Sequence, residues 1–213
     1  DIKVWRTVTD IDGNIYHAVK VGDQWWMAEN LKVTHYRNGD MVTHIADSLV
    51  WRNSSTEAYC RYDNDENNAS VYGCLYNWYA VNDNRIIAPE GWHVPSDDEW
   101  KQLEIYLGMS ESIADSIGDR GTNEGGKMKK AGTTHWNSPN IGATDESGLS
   151  VLSGGFRYNV GRFYGMGEYG YFWSSMENNS NTAWTRHLHY NGSSVFRYEA
   201  GKQYGLSIRC VRD

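Results

Sequence analysis

Apolar and polar positions alternate with a period of two at both ends of the chain and follow a helical period only in the middle. Val4–Val8 and Ile15–Val21 read as strands, with Asp12-Gly13 between them as the turn of a hairpin. Gly22-Asp23 then punctuates the chain before a third strand-like run over residues 24–31. Helical spacing first emerges at Tyr72, Leu75, Tyr76 and Tyr79, which predicts a helix over residues 71–81. A second helix is predicted over residues 96–107. Ser96 and Glu99 stand three apart as a capping box, Trp100, Leu103 and Leu107 share one face, and Gly108 ends it.

From about residue 109 to 150 periodicity fades into Gly, Ser, Thr and Asn, and the run Gly125-Gly126-Lys127-Met128-Lys129-Lys130 reads as a flexible loop. The last third is strand and turn: Val151–Tyr158, Tyr171–Ser175, Ala183–Tyr190, Val195–Tyr198 and Leu206–Val211. Within it, Trp184, Arg186, Leu188 and Tyr190 point one way, and Thr185, His187 and His189 the other. No linker, composition break or internal repeat divides the chain. The prediction is one α+β domain over residues 1–213, mostly antiparallel strands with two helices.

Composition narrows the function classes. The 213 residues carry 20 Lys+Arg against 27 Asp+Glu, a net charge of −7 that disfavours a nucleic-acid or anionic-membrane footprint. Mean hydropathy is −0.68, and no apolar run reaches the roughly 20 residues of a membrane helix. Ten Trp, 15 Tyr and 4 Phe exclude a disordered chain.

No G-x-S-x-G, H-E-x-x-H, P-loop or dinucleotide fingerprint is present, and no nucleophile–base pair stands out. Asp10–Asn14 has a calcium-loop flavour but lacks the acidic ligands of an EF-hand, so it reads as a turn. Residues 63–68 concentrate oxygen donors, and a structural Ca²⁺ held by Asp63 and Asp65 is weighed there against a solvated turn; no other cofactor is expected. His187 and His189 share a strand face without a neighbouring acid or thiol to complete a metal site. His93 reads as a buried, hydrogen-bonded histidine at the start of the second helix. Of three cysteines, Cys60 and Cys74 can either pair or remain thiols, and Cys210 alternates with Leu206 and Ile208 as a small buried hydrophobe.

Several long blocks carry a resemblance. Residues 72–81 (YGCLYNWYAV), 89–100 (PEGWHVPSDDEW), 10–31 (DIDGNIYHAVKVGDQWWMAENL), 132–148 (GTTHWNSPNIGATDESG), 170–175 (GYFWSS) and 206–213 (LSIRCVRD) resemble the Fibrobacter succinogenes major paralogous domain family. That resemblance implies a bacterial secreted or cell-surface protein. No signal peptide is visible before the strand-like start at Asp1, so an export signal is expected to have been removed. The spacing of the blocks also resembles the wider C-type lectin-like fold, including its formylglycine-generating branch. The sugar-binding calcium motifs of true C-type lectins are absent, Trp173-Ser174-Ser175 standing instead, and the paired catalytic cysteines of the formylglycine-generating enzymes have no counterpart.

The expectation is therefore a non-catalytic, adhesin-like or receptor-like module that recognises glycan or protein on another surface. Its predicted face comprises Trp184, Arg186, His187, His189, Tyr190, Asn191, Phe196, Tyr198 and Tyr204, where aromatic area mixes with Asn and Ser hydrogen-bonding groups. Three alternatives are carried: a variable target of a diversity-generating retroelement, which would crowd Asn, Ser and Tyr between Trp184 and Gly205; a degenerate enzyme of the formylglycine-generating branch; and a structural surface repeat. Neither nucleic acid nor membrane insertion is expected.

Overall fold

Alternation at the N-terminus produces a meander. In this computed structural model, which describes residues 5–213, β1 (Trp5–Thr9), β2 (Ile15–Val21) and β3 (Gln24–Met27) pair antiparallel in sequence order. Val4, the first residue of the predicted opening strand, lies outside the described residues. The turn after β1 is closed by Asp10, whose carboxylate accepts the Asp12 and Asn14 amides and, at 2.6 Å, the Tyr16 hydroxyl.

The chain then runs through α1 (Ser48–Asn53), β4 (Tyr59–Cys60), a single 3-10 turn at Tyr62–Asn64, α2 (Glu66–Tyr72), β5 (Leu75–Tyr76), α3 (Trp78–Val81) and β6 (Trp92–His93). This corrects the helix predicted over residues 71–81, which is two helical pieces with a strand between them. Gly73 stops the first at φ 79°, and a Cβ there would lie 2.7 Å from the Asn30 Cβ. Tyr76 then exchanges backbone hydrogen bonds with Leu206 at 2.9 and 3.0 Å, and Asn77 caps the second piece. Long-range pairing overrides the helical spacing.

The second predicted helix forms as α4 (Asp97–Tyr106) with its capping box complete. His93, half-exposed rather than buried, sits between Glu99 at 2.8 Å and Asp213 at 2.6 Å, and these carboxylates raise its pKa against the opposing effect of burial. Residues 109–150 are more regular than their composition suggests, holding α5 (Glu111–Ala114), β7 (Gly118–Arg120) and α6 (Glu124–Met128). The Gly125-Gly126 run is thus helical and buried, not a flexible loop. A Cβ at Gly125 would sit 2.1 Å from the Ser194 carbonyl and one at Gly126 2.2 Å from that of Gly142, so the glycines admit two passing backbones. Lys129 follows, fully buried, its Nζ donating to the carbonyls of Ile141, His189 and Gly192 at 2.7–2.9 Å, and burial pulls its pKa down to about 8.

The C-terminal third supplies β8 (Gly154–Arg157), β9 (Phe163–Met166), β10 (Tyr169–Glu177), β11 (Thr182–His189) and β12 (Val195–Gly201). With β7 they form a six-stranded sheet in the order β7-β12-β11-β10-β8-β9. The predicted strand Leu206–Val211 runs extended through isolated bridges to Tyr76 and Phe172, and only its end is regular, as β13 (Val211–Arg212). β13 lies between β3 and β6, giving the N-terminal sheet the order β1-β2-β3-β13-β6. The architecture is α+β and mostly antiparallel, with six α-helices among the described residues, two of them of seven residues or more.

Indole N–H groups cross between these layers. Trp173 donates to the Tyr76 carbonyl at 2.8 Å, Trp78 to Ser174 at 3.1 Å, Trp100 to Trp173 at 3.4 Å, Trp136 to Val151 at 2.9 Å and Trp51 to Gln203 at 2.9 Å. Each ring fills core volume while its one polar atom is satisfied, as burial of Trp demands. Leu206, Ile208 and Cys210 are all fully buried, and Cys60, Cys74 and Cys210 are free buried thiols.

A charge network fastens α4 to the six-stranded sheet. Asp97 accepts Arg186 at 2.7 Å and Arg197 at 2.8 Å, while Glu104 accepts Arg186 and Arg120, both at 2.7 Å. Burial raises the Asp97 pKa, but the two guanidiniums outweigh it and hold the carboxyl well below the usual range. Removing one partner strands buried charge. Glu104→Gln is therefore expected to cost about 3–5 kcal/mol of stability in urea unfolding; a loss under about 1 kcal/mol, the scale of an exposed pair, would contradict this.

Candidate functional site

The alternation read in β11 is real, but its faces have opposite fates. Trp184, Arg186, Leu188 and Tyr190 point toward α4 and the core. Arg186 is 1% exposed and bound to Asp97 and Glu104, so it is a fold residue and not the ligand contact the sequence suggested. Trp184 is half-buried beneath Arg197, whose guanidinium carbon lies 3.8 Å from the ring centroid. Tyr190 packs on the same core, and its backbone is taken by Glu168 and Ile141.

The other face of the sheet carries rings. Register places Phe196 of β12 opposite His187 of β11, and His187 opposite Tyr171 of β10. His187 stacks on Phe196 with centroids 4.3 Å apart and planes 12° from parallel, and on Tyr171 at 4.4 Å. The contacts continue from Tyr171 to Phe156 at 4.8 Å and from Phe156 to Tyr164 at 5.9 Å, which carries the row across five strands. Tyr158 meets Tyr164 at 6.2 Å and Tyr204 at 4.7 Å. A branch runs from Tyr171 to Tyr169 at 5.6 Å and on to His189 at 4.4 Å.

This layer is half in solvent. Tyr198 is 55%, Tyr164 43% and Tyr158 38% exposed, and the other rings are half-buried. One end of the face is covered, where Trp173, Ala183 and Ala200 enter the main core with Trp78, and Phe156, Tyr171 and Tyr204 pack against that core. Burial lowers the pKa of His187 to about 3, His189 adding to the effect, so the ring is neutral and stacks without a charge to solvate. Its buried Nδ1 has no hydrogen-bond partner among the described residues.

Of the nine predicted contacts, His187, His189, Phe196, Tyr198 and Tyr204 thus share this aromatic layer. Trp184 and Arg186 lie on the other side, Tyr190 packs on the inner core with its ring 4.8 Å from that of His189, and exposed Asn191 flanks the layer as the hydrogen-bond partner of the His189 ring. The Asn and Ser groups divide between opposite ends of β11, about 25 Å apart along eight residues of strand. They are also engaged locally: Asn179 accepts the Asn181 and Thr182 amides, and Ser193 donates to the Thr122 carbonyl. Five rings were missed: Phe156, Tyr158, Tyr164, Tyr169 and Tyr171. The signal for all but Tyr164 was the every-second-residue aromatics of 156–158 and 169–173.

At the acidic loop, Asp65 is spent on capping α2, its Oδ1 accepting the Asn67 amide at 2.9 Å, while Asp63 is exposed at φ 53°. Among the described residues no group of three or more His, Cys, Asp or Glu is arranged to hold a metal ion. None of their helices is long and apolar enough to cross a membrane.

The model of the Fibrobacter succinogenes major domain family matches residues 19–212, and the chain belongs to that family. No curated protein and no solved structure matches the chain.

The neutral His187 ring sets an acid limit. Above about pH 6.5 the ring is neutral folded or unfolded; between 6.5 and about 3 only the unfolded chain takes the proton, so stability falls as pH drops. His187→Phe, which keeps the stack, is expected to flatten the loss of denaturation midpoint between pH 7 and pH 4.5. An unchanged pH dependence would show that the ring titrates normally.

Proposed function

We propose that this member of the Fibrobacter succinogenes major domain family is a non-catalytic binding module of a secreted or surface protein, and that it takes glycan on the outer face of the six-stranded sheet. The observation carrying the reading is the uninterrupted ring row from Phe196 through His187, Tyr171 and Phe156 to Tyr164. Sugar rings have apolar C–H faces and polar rims. A surface of aromatic area bordered by tyrosine hydroxyls and imidazole nitrogens matches both at once.

Two further points support a neutral glycan. The central rings carry no formal charge, and on this face the row ends at Asp119, the residue opposite Phe196. The rings are also held by one another and by the sheet, so little side-chain freedom is lost on binding. The fold is read here as C-type lectin-like, with β13 returning beside β3 and α4 packed on the sheet in support. Recognition by ring stacking needs no calcium, in keeping with the missing calcium motifs.

A neutral polysaccharide array with the purified chain tests this. Tyr171→Ala and Tyr198→Ala are each expected to weaken a detected glycan about 5- to 100-fold, the scale of losing a stacked aromatic contact. Asn191→Ala, at the flank, should change binding less than about threefold. Retained binding in both tyrosine variants, or no binding to any glycan, would refute this face as a glycan site.

A further inference from the structure

A cavity of about 670 Å³ opens between the N-terminal meander, α2 and residues 130–152. Its walls include Ala28, Val71 and Leu152, its polar lining includes Asn30 and Ser150, and Arg209 lies at its depth. The volume falls within the range of small-molecule sites, and it shares no residue with the aromatic layer.

Arg209 is the unusual feature. It is 1% exposed, yet its hydrogen bonds go to two neutral acceptors: Nε and Nη2 to Asn30 Oδ1 at 3.2 and 2.8 Å, and Nη1 to the Leu149 carbonyl. Three of its five N–H groups are used in this way. Glu29 and Asp145 favour its charge from a distance, but neither reaches ion-pair range. The three arginines under α4 are by contrast each matched to a carboxylate. Arg157, also fully buried, is the instructive comparison. Its three nitrogens each have their own carbonyl, it lies between Trp51 and Phe163, and it does not line this cavity. A buried cation with no carboxylate in ion-pair range among the described residues is costly, and here it borders open space.

The other charged groups around the cavity leave that space to an anion. Glu29 is engaged by the amide and ring of His17 at 2.7 Å, and Lys130 stands at the rim, 3.3 Å from Asp145. His135 contributes a further donor-capable ring. We propose that this cavity binds a small organic carboxylate, with the carboxylate on Arg209 and Lys130 and the carbon body against Val71, Leu152 and Ala28.

Benzoate is a suitable probe, and benzamide is its neutral isostere. Titrated into the full chain and followed by ligand-observed NMR, benzoate should bind saturably and at least about tenfold more tightly than benzamide, the margin of a charge-assisted hydrogen bond. Arg209→Gln should abolish that preference, though it risks the fold because Asn30 and Leu149 lose their donor. Two rim variants keep the proposal falsifiable without that risk: Val71→Trp should fill the cavity and abolish binding, and Lys130→Gln should weaken benzoate alone by about three- to tenfold. Tyr198→Ala should leave benzoate binding unchanged, which separates this cavity from the glycan face. Equal affinity for benzoate and benzamide, no saturable binding, or binding indifferent to Val71→Trp would each overturn the proposal.

Discussion

Two carboxylates on one helix set the geometry of this protein. Asp97 and Glu104 project from α4 into a region with almost no water, and each demands guanidinium partners from strands far away in sequence. Arg186 and Arg197 come from neighbouring strands in the middle of the sheet, and Arg120 from its edge. Such a cluster adds little net energy compared with a well-packed apolar contact, because desolvation consumes most of the attraction. What it adds is intolerance: a register slip of one residue in β11 would turn Arg186 outward and place His187 against two acids. The network thus couples the inward face of the sheet to the orientation of the rings on its outward face.

That coupling explains which parts of the fold could be read from the chain. The capping box of α4 and the alternation of β2 and β11 are local signals, and they survive in the structure. The helix expected over residues 71–81 is local too, and it loses to a partner 130 residues away when Tyr76 pairs with Leu206. Likewise, the glycine-rich run at 125–126 reads as mobile until the backbones of Gly142 and Ser194 are known to pass over it. Glycine marks both mobility and close approach, and the sequence does not distinguish them.

The same limit applies to the candidate site. Alternation separates the two faces of β11 correctly but does not say which is buried, because an arginine sits on the inward one. Arg186 looks like a surface residue until Asp97 and Glu104, 89 and 82 positions earlier, are found beneath it. The aromatic row shows the converse. Its members come from five strands, and only cross-strand register turns separate tyrosines into one surface. The two faces answer to different requirements: one is constrained by buried charge, the other by the packing of its rings on one another and on the edge of the main core.

The Lys129 ammonium carries a kinetic consequence. Its three carbonyl partners belong to residues 141, 189 and 192, so all three contacts can exist only after the chain between 129 and 192 has closed. Before that moment the lysine is hydrated and contributes nothing; afterwards it is sealed under Trp136. Contacts of this sequence separation form late, and those absent from the folding transition state slow unfolding rather than speed folding. The β11–β12 corner that borders the rings is held by a latch of this kind, and its persistence is governed by a barrier as much as by a free-energy difference.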